Sequence, residues 1–268
     1  MNNAGVIFKR ALRDSRNTIL GWGIGLAVYA IYVAVLYPFM QYFQELGQLL
    51  YYPLMKAFLG DLDVAEFTSP GGVLGSYFFL FAPLLLAILA VVYGLGITAA
   101  EEDRGTLDVL LSLPVPRWRL IVEKFAALIV ILALILVITL VGFLIGLAVT
   151  PSLTINVGDV LLAVLNILPV TLFMTTLTLL LATVLRSRGT VGGIVAAIVV
   201  ASYFLDTLSA LMEEPLSNMR YASIFHYYRG GTVLLEGVDW GGFLLLTVGT
   251  AVLLGLSLLA FQRRDLGT

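Results

Sequence analysis

The chain has 268 residues, of which 60% are hydrophobic and 12% charged. Soluble domains carry about 25% charged residues, so this composition excludes an ordinary water-soluble globule and specifies an all-α polytopic membrane protein. The formal net charge of −2 says little about partners because the charges are segregated along the chain, and the absence of cysteine excludes disulfides, thiolate metal sites and a cysteine nucleophile.

Residues 5 to 16 read as an interfacial helix. Val6, Phe8, Leu12 and the aliphatic stem of Arg16 suit lipid, while Lys9, Arg10 and Arg13 reach phosphates. A disordered basic tail is the plainer alternative. The first apolar run, Thr18–Met40, is too long for a secretory signal core and ends without a small-residue cleavage pattern, so it reads as a span. Gly21 and Gly25 within it form a small-xxx-small pair that suits close helix packing.

A long polar segment, Pro38 to Ser76, follows. Gln41 to Leu50 reads as an extension of the first helix, Pro53 suits the first turn of a short helix Leu54 to Leu59, and Ser69-Pro70-Gly71-Gly72 reads as a turn. The second span is expected over Tyr77–Ala100.

Glu101 to Lys124 is a charged island between two apolar runs. Gly105 permits a break in the backbone, Thr106 suits an N-cap, and Asp108 sits where a helix dipole favours an acid. Leu107, Leu110, Leu111 and Pro114 share one face, with Val109 and Leu113 alongside. The predicted helix, Gly105 to Leu113, is about 12 Å long, and Pro114 and Pro116 end it. Arg117-Trp118-Arg119 then anchors the third span at the headgroups. Glu101, Glu102 and Asp103 lie on the basic side of the membrane and suit pairing with basic groups on a partner.

The third span is expected over Phe125–Val149, with a second glycine pair at Gly142 and Gly146. The fourth, Val160–Leu185, places Thr171, Thr175 and Thr178 on one face. They either line a polar path or bond back to their own helix. Asn166 and Pro169 suggest a kink. Arg186-Ser187-Arg188 is a tight turn. The fifth run, Gly189–Leu205, is short and must either borrow residues from Asp206 to Leu211 or sit where the bilayer is thin. Gly189, Gly193, Ala197 and Ala201 recur along it every four residues, the strongest interface stripe in the chain, within or between subunits.

Asp206 to Asp239 is a broken outer segment with an aromatic patch and a Gly230-Gly231 break. Broken half-helices dipping back into the outer leaflet and an ordinary interfacial loop with an aromatic belt are both compatible with it. Asp206 reads as an outer-surface acid rather than a proton relay. Trp240–Gln262 is the sixth span. The single domain covers residues 1–268.

Twelve of the fifteen basic residues fall on one side of these spans, against Lys56, Arg220 and Arg229 on the other. The positive-inside rule makes the first side cytoplasmic, with both termini inside and an even span count. No glycine precedes any of the three lysines, so the chain lacks a phosphate-binding G-x-x-x-x-G-K-[ST] loop, and no H-E-x-x-H or G-x-S-x-G occurs. One histidine, His226, cannot make a multi-histidine metal site. Neither catalysis nor a metal is expected on this polypeptide.

Glu101, Glu102, Gly105, Thr106, Leu107, Asp108, Leu110, Leu111, Ser112, Pro114, Val115, Arg117 and Lys124 together resemble the signature of type-2 ABC transporter permeases. The resemblance extends more loosely over the whole chain, and Tyr37-Pro38 with the long outer segment is similar to permease halves of polyketide-antibiotic-type exporters. Some of those relatives carry two such halves, and this chain carries one. The resemblance implies a transporter subunit without its own ATPase. It implies two cytoplasmic ABC ATPase subunits, which carry the ATP and Mg and each receive Gly105–Leu113 as a coupling helix. It also implies a second permease copy or sister chain, packed through the first and fifth spans. Membrane lipids are the remaining partners, and no nucleic acid is expected. An ion-gradient transporter would need an inverted repeat and midplane carboxylates, which the sequence lacks. A membrane anchor for a cytoplasmic protein would use the same docking helix without transport.

Overall fold

A computed structural model describes residues 5–50, 68–97, 117–185, 187–209 and 216–263. Among these residues the secondary structure is helical throughout. Amphipathic α1 (Val6–Asp14) gives way at Ser15 to α2 (Arg16–Leu50), which carries the first span and runs on through Gln41–Leu50 as its sequence suggests. The expected helix Leu54–Leu59 lies outside the described residues.

The Ser69–Gly72 cluster is not a turn, contrary to the sequence reading. Ser69 is an N-cap whose hydroxyl accepts from the Gly72 amide at 3.1 Å, and Pro70 takes the first helical position, where its missing N–H costs nothing. The helix α3 (Pro70–Leu74) passes through a π-helical stretch, Gly75–Phe79, into α4 (Ala82–Ile97), so the second span begins at Pro70, seven residues before the expected Tyr77. The glycines are there for packing. A side chain at Gly71 would meet the Leu234 carbonyl at 3.0 Å, and one at Gly75 would strike the Gly231 carbonyl.

The remaining spans are α5 (Arg117–Val149), α6 (Val157–Val184), α7 (Arg188–Ser209) and, after the outer segment, α9 (Trp240–Arg263). Six helices are thus long and apolar enough to cross a membrane. The short run in α7 does borrow Asp206 to Ser209. Exposed side chains such as Val28, Tyr32, Val137, Val141, Leu244 and Val252 form an apolar outward surface on the bundle.

Apolar side chains gain little by leaving lipid for protein, so close fit holds this bundle together. Along α2 and α5 the contacts rise together in number. A Cβ on Gly23 would meet Ile138, one on Gly142 would come within 2.5 Å of the Ala27 Cα, and one on Gly146 would meet Ala34 at 2.7 Å. The two helices are therefore parallel and nearly touch along their backbones. Gly142 and Gly146 serve packing within the subunit. Tyr29, Phe78, Phe79 and Phe143 form an aromatic cluster beside this seam, with Phe78 and Phe143 edge-on at 4.6 Å.

The central helix is α6, buried along most of its length. Asn156 caps it through the Gly158 amide. The outer segment folds as a 3₁₀ turn, Leu216–Ala222, and a short helix α8 (Ile224–Tyr228) packed against the bundle. Buried Asn166 donates to the Tyr228 carbonyl at 2.9 Å, and the Tyr228 hydroxyl donates to the Phe79 carbonyl at 2.9 Å. Asn166 therefore ties the broken segment to the core. The described part of this segment consists of short helical pieces packed onto the protein.

Candidate functional site

The charged island leaves the described structure after Ile97 and returns at Arg117. Glu101, Glu102, Asp103, Gly105, Thr106, Leu107, Asp108, Leu110, Leu111 and Pro114 all lie outside the described residues. The two helices that hold its ends are described in detail.

The first four amides and last four carbonyls of any helix lack partners within it. At the end of α4, the Lys124 ammonium of α5 donates to the Ile97 carbonyl at 3.1 Å and the Gly96 carbonyl at 3.4 Å. A cation there also matches the negative end of the helix dipole. At the start of α1, Gly5 adopts a left-handed conformation (φ 83°) and provides no side-chain cap. Glu123 supplies one from α5. Its carboxylate accepts from the Gly5 amide at 3.2 Å and the Phe8 amide at 3.3 Å, and an anion suits a helix N-terminus. Arg119, one turn earlier, holds Glu123 in place through Nε at 2.7 Å, with both side chains largely buried.

Two consecutive residues of opposite sign thus grip the ends of two different helices at the foot of the 98–116 segment. Lys124 was visible in the sequence as part of the resemblance. Glu123 was not singled out. Its signals were the Arg119-x-x-x-Glu123 spacing, which pairs side chains on one helix face, and the uncapped Gly5 start of α1.

The interface residues lie on outward faces. Gly21, Gly25, Gly189 and Gly193 have open space where a side chain would be, and Ala197 and Ala201 are exposed. On α7 the opposite face, Val191, Val195 and Val199, is buried in the subunit. Gly21 and Gly25 line an open groove of about 620 Å³ with Trp22, Tyr29 and Leu85. Thr171, Thr175 and Thr178 are buried, and each donates to the carbonyl four residues back at 2.8–2.9 Å. Thr178 and the Thr175 carbonyl pack on α4, where a Cβ on Gly94 would come within 2.5 Å of the Thr178 Cβ.

At the other end of the bundle, His226 Nδ1 of α8 lies 3.9 Å from Asp206 Oδ1. Burial holds the imidazole pKa below its usual value. Arg220 and Arg229 push the same way, against the opposing pull of Asp206 and Asp239. Arg229 bridges to Asp239 at 3.5 Å and Glu236 at 3.8 Å. Among the described residues no group of His, Asp and Glu side chains is arranged to hold a metal ion.

Six apolar helices long enough to cross a membrane define a helical, multi-pass membrane protein. The family model for ABC-2 family transporter proteins matches residues 6–266, and the chain belongs to this family. It is a multi-pass membrane permease of an ABC transporter, a transport subunit and not a catalytic one. No curated protein is significantly similar to the chain.

Proposed function

We propose that the chain is the permease of an ATP-driven exporter in a prokaryotic plasma membrane, with both termini cytoplasmic and energy supplied by separate ATP- and Mg-binding subunits. The 98–116 segment docks into these subunits, and two permeases pair through the Gly21/Gly25 and Gly189–Ala201 faces to form the translocation path. Thr171, Thr175 and Thr178 stand behind that path rather than at a groove, their hydroxyls already engaged.

The observation that carries this reading is the Lys124 clamp. Lys124 joins the end of α4 to α5, and Glu123 joins α5 to α1. Force delivered to the intervening loop is therefore shared by three helices instead of bending one. Basic residues at this end, Lys9, Arg13, Arg16, Arg119, Lys124 and Arg188, support a cytoplasmic location.

The test is co-expression with the ABC ATPase encoded nearest to the chain. Replacing Leu110 and Leu111 with Asp is expected to abolish co-purification and the permease-dependent change in ATPase rate, while leaving the permease folded. Unchanged co-purification and ATPase rate would overturn the proposal.

A further inference from the structure

On the side of α1 and α2 away from the clamp, a groove of about 470 Å³ is bounded by Lys9, Arg13 and Arg16 and by Ile19, Leu20 and Leu134. Lys9, Leu12 and Arg13 of α1 and Arg16, Ile19 and Leu20 of α2 line it from the two sides of the Ser15 break. Leu134 comes from α5 and closes the apolar half with a second helix. The three cations are exposed, and none has an ion pair among the described residues. The nearest acid, Asp14, turns to Arg10 at 3.7 Å and lines a different groove. No acid lines this one.

The cations lie at one end with Leu12 among them, and the lining is wholly aliphatic beyond Arg16, where the first span begins. That polarity matches one molecule of the bilayer: a negatively charged headgroup with an attached acyl chain. A soluble anion has no use for Leu20 and Leu134, and a zwitterionic lipid brings its own cation into a field of three.

We propose that this groove is a binding site for an anionic phospholipid, whose phosphate is held by Lys9, Arg13 and Arg16 and whose acyl chain lies against Ile19, Leu20 and Leu134. The bound lipid neutralises a basic stripe and fills the seam between α2 and α5 at the membrane surface. It concerns the resting permease and is independent of the transport direction and of the ATPase partner.

The experiment is native mass spectrometry of the full chain in mild detergent, supplied with phosphatidylglycerol or phosphatidylcholine of matched chains. About tenfold or greater preference for phosphatidylglycerol is expected, since each cation near an anionic headgroup adds several-fold in affinity. Replacing Lys9, Arg13 and Arg16 with Gln should bring the two lipids to parity, while Arg220→Gln, at the opposite end of the bundle, leaves the preference intact. Leu134→Trp fills the apolar half with all charges kept and should cut phosphatidylglycerol retention, so the result does not depend on the triple variant folding. Equal retention of both lipids by the wild type, or an undiminished preference in the triple variant, would overturn the site. So would inorganic phosphate displacing the lipid at equal concentration, or complete disulfide cross-linking between copies through Leu134→Cys, which would make the groove an interface between subunits.

Discussion

The ammonium of Lys124 lies 3.1 Å from the carbonyl oxygen of Ile97, twenty-seven residues earlier and on the other side of the charged island. This bond fixes the distance between the two ends of the segment that resembles a coupling helix. Lys124→Met removes the donor to the Gly96 and Ile97 carbonyls, at a cost of about 1.5–3 kcal/mol for a charged hydrogen bond. The permease should still insert and fold, because six spans remain packed. Its stimulation of the partner ATPase should fall more than its thermal stability in detergent does. Lys124→Arg keeps the charge and should restore part of the coupling. A Met variant that couples normally would show that the clamp is structural alone.

Glu123 acts on α1 in the same way from the adjacent position. Glu123→Ala leaves the Gly5 and Phe8 amides without their cap and is expected to loosen α1 by about 0.5–2 kcal/mol, the usual cost of losing a cap. Hydrogen exchange over residues 5–14 should accelerate, while exchange in α6 stays unchanged. Arg119→Ala should give a milder form of the same effect, because Arg119 orients the carboxylate from one turn away.

Two glycines of similar sequence context should respond in opposite ways to enlargement. Gly142 faces the Ala27 backbone, and Gly193 faces open space. Gly142→Val must push α5 away from α2, at a cost of at least about 1–3 kcal/mol for overpacking, and should lower the melting temperature of the isolated permease. Gly193→Val meets nothing in the subunit and should leave that temperature unchanged. On the proposed pairing face it should instead weaken association between permeases, read by cross-linking in membranes.

That contrast also marks the boundary of what the sequence made legible. Charge-free runs located all six spans because the bilayer imposes a length and excludes charge, a signal carried by composition alone. Small-xxx-small spacing identified both glycine pairs and the α7 stripe, but spacing cannot tell which side of a helix faces its own subunit. Gly142 turned inward and Gly193 outward for reasons set by the whole bundle. The Ser69–Gly72 segment was misjudged for a related reason. Proline and two glycines signal a turn locally, yet here the proline opens a helix and Gly71 admits the backbone of the outer segment at Leu234, 163 residues away. The Arg119-x-x-x-Glu123 spacing makes that pair legible, whereas the bonds of Glu123 to the Gly5 and Phe8 amides, 118 and 115 residues away, leave no trace in residue identity.

The pH response of the outer segment follows from His226. Burial and the nearby Arg220 and Arg229 disfavour the imidazolium, and attraction to Asp206 at 3.9 Å does not compensate. The folded pKa is therefore below the unfolded value of about 6.5. A depressed histidine contributes stability that is present above the unfolded pKa and is lost as pH falls through the folded pKa, because the unfolded chain takes up the proton first. Acidification from about pH 7.5 to about pH 5.5 should thus loosen α8 and the Asp206 end of α7. His226→Gln, which has no proton to gain, should flatten that dependence, measured as protease accessibility of the 216–239 region against pH. Tyr228, buried beside it and bonded to Phe79, keeps the segment attached at neutral pH, so Tyr228→Phe should shift the whole profile toward greater accessibility without changing its midpoint.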